Sequence, residues 1–226
     1  MDKFALISMF ITFATSNDVL KFEPHNTGQV QSHNTGQVLP NLQKPKFCKS
    51  LDCPAYKVIQ TTKDFEVREY YTSNWVSTNL TGISYKDASS MMFMKLFGYI
   101  SGQNEKKQKI AMTAPVTNRI IPAQGPACES DFIMSFYVSS KVRDIPEPSN
   151  KEVYLDTKQK QIVYVRQFSG FTYTFEAWSK HATELADALD AKGIKYEKSY
   201  YYTAGYDSPF TLLNRHNEIW FVPEQK

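Results

Sequence analysis

The stretch KIAMTAPVTNR, residues 109–119, decides how the rest of the chain is arranged. A lysine opens it, an arginine closes it, and between them small apolar residues surround Pro115. It is too short for a stable helix. Pro115 offers no backbone donor, so the segment cannot be an ordinary central strand. It reads as a compact, bent piece that leads into a strand through Ile120 and Ile121. The theme returns in SYYYTAGYDSPF, residues 199–210, where Thr203-Ala204-Gly205 answers Thr113-Ala114-Pro115. Thr-Ala followed by Pro or Gly lets two backbones approach closely while the chain turns.

The flanking patterns extend the repeat. YKVIQTTKDFEVREYYTSNWVSTNL, from Tyr56, alternates and is rich in Val, Tyr, Phe and Thr. It predicts strands with a turn near Thr62-Lys63-Asp64. Asp87 can cap a helix to about Ile100, with Met92, Phe93, Leu96, Phe97 and Ile100 at helical spacing and Ser101-Gly102 as its end. Pro122 and Gly125-Pro126 mark a loop, and DFIMSFYVS is the next strand. In the second half QIVYVRQF is a strand and Gly170-Phe171 turns it. FEAWSKHATELADALDAKG is a helix closed by Gly193, with Trp178, Leu185 and Leu189 on one face. NEIWFVP closes as a strand.

Laid side by side, Val67-Arg68-Glu69-Tyr70 resembles Val165-Arg166-Gln167-Phe168, and Phe136-Tyr137-Val138 resembles Trp220-Phe221-Val222. Each half is strand, helix, bent segment, strand. The expectation is an α+β fold made of two β-α-β-β repeats, with both helices packed outside one β-rich domain. The two bent segments should lie where the halves meet.

Composition narrows the function classes. Hydrophobic residues make up 42% and aromatic residues 14% of 226, enough for a substantial core. A net charge of +3 is too mild for a nucleic-acid binder. The dense patch Lys106-Lys107-Gln108-Lys109 reads as a solvated loop. FALISMFITFA, residues 4–14, is shorter than the roughly 20 apolar residues of a bilayer span. With Ala14-Thr15-Ser16 behind it, it reads as a cleaved signal peptide over 1–16. Residues 17–46, with the tandem octad HNTGQVQS-HNTGQVLP, read as a flexible linker, and 47–226 as the folded domain. The protein is therefore expected outside the cell, with a cytoplasmic location the alternative if residues 1–16 are retained. Asn79-Leu80-Thr81 is the only glycosylation sequon. Three cysteines, Cys48, Cys53 and Cys128, imply one bridge and a spare thiol, and spacing leaves the pairing open. No zinc-type cluster, nucleophile elbow, phosphate loop or paired carboxylates appear, so no enzyme or metal site is expected.

Three ordered motifs carry a family resemblance: KIAMTAPV at 109–116, YTAGYDSP at 202–209 and NRHNEIW at 214–220. They resemble the signatures of the SOUL/heme-binding family over about 54–223. The resemblance implies a distorted β-barrel with two flanking helices. It also implies non-enzymatic binding of heme or a related tetrapyrrole, and a second, interaction-based role. Some members carry a proposed axial histidine where this chain has Glu69, and carboxylate is a poor substitute for imidazole on heme iron. In others a cleft between the first helix and the loop after Tyr206 takes the ring, with basic residues at the positions matching Ser90 and Thr211. Both charges are missing here, so heme would have no obvious axial histidine.

What stands in that cleft is apolar. Met91 to Met94 are four consecutive apolar residues, and a helix on a barrel buries only one stripe, so some must face outward. Ser90, Phe93, Met94, Phe97, Met112, Tyr206, Phe210, Thr211 and Leu212 are the candidate wall for a tetrapyrrole or other small hydrophobic ligand. Lys95, Lys109 and Arg215 are the candidate propionate contacts. The alternative is a protein-interaction module in cell-death regulation. Leu185-Ala186-Asp187-Ala188-Leu189-Asp190 is loosely similar to a BH3 helix, although Leu189 crowds the place where a small residue is expected.

Overall fold

The structure, a computed structural model, describes residues 44–81, 84–122, 130–172, 174–208 and 210–224, all within the compact unit Leu39–Lys226. The expected signal segment 1–16, all but the last residues of the linker 17–46, and Cys128 lie outside the described residues.

The chain enters through a 3-10 turn, Lys46–Cys48, followed by β1 (Tyr56–Thr61), β2 (Glu66–Tyr70) and β3 (Ser73–Thr81). Helix α1 (Tyr85–Ile100) leads to β4 (Val116–Ile121) and β5 (Asp131–Tyr137). The second half is β6 (Val153–Lys158), β7 (Gln161–Phe168), α2 (Phe175–Asp190), β8 (Tyr201–Gly205) and β9 (Asn217–Phe221). All pairings are antiparallel in one curled sheet of order β1-β2-β7-β9-β8-β4-β5-β3-β6, a distorted half-barrel with two helices.

That order makes the duplication visible. The run β7-β9-β8 mirrors β3-β5-β4, and the mirror falls on the β4–β8 pairing, where Val116 faces Gly205. Each half also lends its leading strand to the other: β2 pairs with β7, and β6 with β3. This corrects one expected equivalence. Val67-Arg68-Glu69-Tyr70 is the sheet neighbour of β7, with Val67 opposite Tyr164; the strand equivalent to β7 is β3. Strand β6 had no place in the expected repeat.

The bent segments differ between halves. Residues 109–115 stay outside the strands, and the Ala114–Pro115 bond is cis. The Ala114 N–H donates to Asp52 O at 2.9 Å, and Thr113 Oγ1 to the Tyr137 carbonyl at 2.5 Å. Thr203-Ala204-Gly205, with no proline, is strand instead, since every residue can join the ladder on both sides.

The helices start on side-chain caps. Ser84, not Asp87, caps α1 by accepting the Asp87 N–H, and Thr174 does the same for α2 through the Ala177 N–H. Helix α2 closes at Gly193, whose positive φ of 64° suits a residue without a Cβ. Both helices pack on one sheet face. Met92, Leu96, Tyr99, Leu185 and Leu189 are buried there with Phe136, Ile120 and Ile219. Alternation sends the neighbouring side chains of β2, β7, β8 and β9 to the other face. There Tyr70, Val163, Val165, Ala204, Tyr206 and Trp220 form a second core, closed by Phe47 and Leu51 from the N-terminal segment.

Candidate functional site

The cleft forms where α1 passes the end of β8. Its volume is about 350 Å³, and its walls come from Phe93 and Phe97 of α1, Met112 to Ala114, Val116, and Gly205 to Ser208 with Phe210. Phe93 and Phe97, one turn apart, stack nearly parallel with centroids 6.0 Å apart, and Phe93 meets Phe136 edge-on at 5.2 Å. Phe93 is thus half anchored in the core, while Phe97 is 45% exposed. Leu51 supplies a wall that no sequence pattern announced, because it reaches the cleft from the N-terminal segment.

Of the nine expected wall residues, Phe93, Phe97, Met112, Tyr206 and Phe210 line the cleft together. Ser90, Met94, Thr211 and Leu212 lie outside the lining, with Ser90, Met94 and Leu212 exposed to solvent. The basic residues are engaged elsewhere. Lys95 pairs with Glu152 at 3.0 Å, and Lys109 is exposed and not part of the lining. Arg215 is buried, and Nη1 donates to the carbonyls of Ser208 (2.8 Å) and Thr211 (2.9 Å), which fixes the loop. Lys49 is ion-paired with the lining residue Asp207.

Beneath the cleft floor lies a buried polar network. Glu218 accepts from Arg68 Nη1 at 3.0 Å, from Tyr206 Oη at 2.9 Å and from Trp220 Nε1 at 2.7 Å. Its Oε1 also lies 2.8 Å from His216 Nε2. Burial alone would raise the Glu218 carboxyl, but Arg68, His216 and Trp220 hold it below the ordinary value. Burial beside Glu218 pushes the Tyr206 phenol up, so it stays a neutral donor. Phe47 stacks on His216 at 3.9 Å, and the Arg68 guanidinium lies over Tyr56 at 4.4 Å. A Cys48–Cys53 disulfide closes the segment that carries Lys49 and Leu51.

No histidine among the described residues lines the cleft. His216 is half-buried behind Phe47. His181 stacks on Phe168 at 3.7 Å and bonds Glu184. Glu69 pairs with Lys160 and is likewise outside the lining. No group of three metal-ligating side chains is present among the described residues. The walls fit a flat apolar ring, and the donor set does not fit a histidine–iron bond. Asn79 is exposed on β3. Leu185 and Leu189, the apolar positions of the BH3-like segment, are fully buried under α2.

Comparison with known proteins agrees with this architecture. Heme-binding protein 2 of Homo sapiens is 34% identical over 192 residues, covering 83% of this chain and 93% of the relative. Heme-binding protein 2 of Mus musculus is 35% identical over 183 residues, 79% of this chain and 89% of the relative. Heme-binding protein 1 of Xenopus tropicalis is 29% identical over 159 residues, 70% and 83% respectively. Among solved structures, the EcmrR C-terminal domain superposes with a TM-score of 0.54 at 10% identity, covering 76% of this chain and 99% of that one, a likeness of fold. A family model described as SOUL heme-binding protein matches residues 51–222, and with these relatives it shows that the chain belongs to the SOUL heme-binding protein family.

Proposed function

We propose that this protein is a non-enzymatic binder of heme or a related tetrapyrrole, held in the apolar cleft between α1 and the loop after β8. The observation that carries the reading is the cleft itself. Phe93, Phe97, Met112 and Phe210 converge on a space of about 350 Å³, within the range of small-molecule pockets. Family membership supports the ligand class. The tetrapyrrole would supply its absorbance and, with iron, its redox chemistry. The chain's part is to sandwich the ring, with Phe93 fixed by the core and Phe97 and Phe210 at the mouth, and to exclude water from one face. With no imidazole in the lining, ring contact rather than an iron–histidine bond provides the affinity, and Lys49, paired with the lining residue Asp207, is a cation at its edge.

The test is a hemin titration of the folded domain. A saturable Soret shift that needs about tenfold more hemin after changing Phe97 is the expected result. A spectrum identical to free hemin at all ratios would refute the reading. The protein-interaction alternative through α2 finds less support, since Leu185 and Leu189 would have to leave the core to meet a partner.

We further propose secretion. Disulfides persist in oxidising compartments, so the Cys48–Cys53 bridge supports it, as does the exposure of Asn79 for a glycan. Mass spectrometry of the protein from its native cells checks both points: a retained Met1 and an unmodified Asn79 would reject them.

A further inference from the structure

The mouth of the cleft is surrounded by apolar side chains that the fold leaves in water. On α1, Met91 is 47%, Met94 61% and Phe97 45% exposed. Across the mouth, Phe210 is 90%, Leu212 73% and Leu213 79% exposed. Scattered exposed leucines need no explanation, but these six fall on the two elements that carry the cleft's Phe97 and Phe210: Met91 and Met94 precede Phe97 at helical spacing on α1, and Leu212 and Leu213 follow Phe210.

The loop that carries three of them is rigidly held. Arg215, itself buried, donates to the carbonyls of Ser208 and Thr211 and, at 3.4 Å, to that of Asp207. Thr211 N–H bonds Ser208 O at 3.0 Å, and Asn214 makes the turn with a φ of 52°. A buried guanidinium thus fixes the backbone of a loop whose tips touch almost nothing. Fixing a loop beforehand reduces the entropy lost on docking.

The charges near the patch leave a slight basic excess: exposed Asp87 and Glu105 offset two of the exposed lysines Lys86, Lys107 and Lys109, and Lys95 and Lys106 are paired with Glu152 and Asp144. Lys86 lies on the α1 stripe one turn before Ser90 and is exposed. Lys107 and Lys109, both exposed, stand in the segment between α1 and Met112, where Glu105 is the single acidic residue. On the other rim Lys49 neutralises Asp207. Exposed apolar tips with a slight basic excess nearby match the physics of interfacial membrane binding, in which apolar area is the main term and attraction to anionic headgroups adds to it. The tips protrude rather than form a groove, which suits a fluid lipid surface better than a shaped protein partner.

We propose that the exposed stripe of α1 and the loop residues Phe210, Leu212 and Leu213 dock this protein on anionic lipid membranes with the mouth of the cleft at the interface. A flat apolar ligand dissolved in the bilayer then enters the cleft without crossing water, a use that rests on the function proposed above.

The test compares full-length wild-type protein with Met91→Glu/Leu213→Glu, one change on each rim and neither in the cleft lining, with the fold of each checked by circular dichroism. Sedimentation is measured with phosphatidylcholine vesicles, with and without phosphatidylserine and without hemin. The N-terminal residues are common to both chains, so any contribution they make cancels. Wild-type protein should bind the phosphatidylserine vesicles, weaken with salt, and lose about tenfold in partitioning in the variant. Equal partitioning of folded wild type and variant overturns the proposal. So does self-association through the same residues without vesicle binding. Hemin affinity, measured separately, should be the same in both chains. Loss of hemin binding by both would sink the cleft assignment while leaving the docking result standing.

Discussion

Arg68 and Glu218 meet at 3.0 Å across strand β7, and neither side chain is exposed at all. A buried ion pair is costly to create and costlier to halve, since removing one partner strands the other charge. Here Tyr206, Trp220 and His216 occupy the remaining positions on the carboxylate, while Arg68 Nη2 finds no partner. The carboxylate is therefore well satisfied, and it is the one fully buried carboxylate on the arginine, whose Nε also donates to the partly exposed Glu66 at 2.8 Å.

Glu218→Gln should cost about 3 to 5 kcal/mol of stability near neutral pH. The pH dependence has a definite sign. Glu218 titrates below its ordinary 4.5 in the folded state. Its contribution is thus complete above about pH 4.5 and is lost as the pH falls through the lower, folded value. Arg68 stays charged throughout. Urea denaturation of both proteins near neutral and in acid checks this: the gap between them should shrink on acidification. A gap that is constant with pH would mean that the carboxylate is not ionised in the fold.

Phe97 stands at the mouth, half in water, stacked on Phe93. Phe97→Gln keeps good helix propensity and should change stability by less than about 1 kcal/mol. It removes part of the surface proposed for the ring, so hemin affinity should fall about tenfold, ~1.4 kcal/mol. Fluorescence quenching on hemin titration reads this directly. An unchanged affinity would move the ligand elsewhere.

Met112 offers the converse experiment. It lines the cleft, where no histidine does. Met112→His places an imidazole in the wall and should convert the hemin complex to a histidine-ligated spectrum with tighter binding. If the wild-type complex already shows that spectrum, a histidine outside the lining reaches the iron, and the cleft is not where heme sits.

The Cys48–Cys53 bridge closes a short loop that presents Lys49 to Asp207 and Leu51 to the cleft, and lets Asp52 O accept from Ala114. Loop-closure entropy for so small a ring gives about 2 kcal/mol. Cys53→Ser should lower stability by that amount in thermal melts and weaken hemin binding, since Leu51 loses its tether. Full stability in the variant would show that Phe47 on His216 and the Lys49–Asp207 pair hold the segment unaided.

Much of this fold was legible because its strongest signals are local. β7 matches its pattern residue for residue, and the buried face of α2 follows from Trp178, Leu185 and Leu189. The four apolar residues from Met91 had to leave some outside, and Met91 and Met94 are exposed. The errors are non-local or competitive. Ser84 and Asp87 are both capping types, and only the backbone decides that Ser84 accepts from Asp87. The Val-Arg pairs of β2 and β7 look like repeats because both strands border the same core, yet they are neighbours exchanged between halves. Arg215 reads as a free cation until its loop folds over it, and Leu51 is remote in sequence from every other wall of the cleft.

Leu185 separates the two readings of α2. It is fully buried, in the core formed with Ile219 and Phe221 beneath the helix. If α2 is structural, Leu185→Ala leaves a cavity and should cost about 2 to 5 kcal/mol. Hydrogen exchange would then show α2 amides protected to near the global stability in the wild type, because the helix opens only when the core does. If α2 is instead a detachable interaction helix, its amides exchange through a cheap local opening and Leu185→Ala costs little. Denaturation with exchange measured on the same sample decides between them, and low protection confined to residues 175–190 would return the interaction reading to first place.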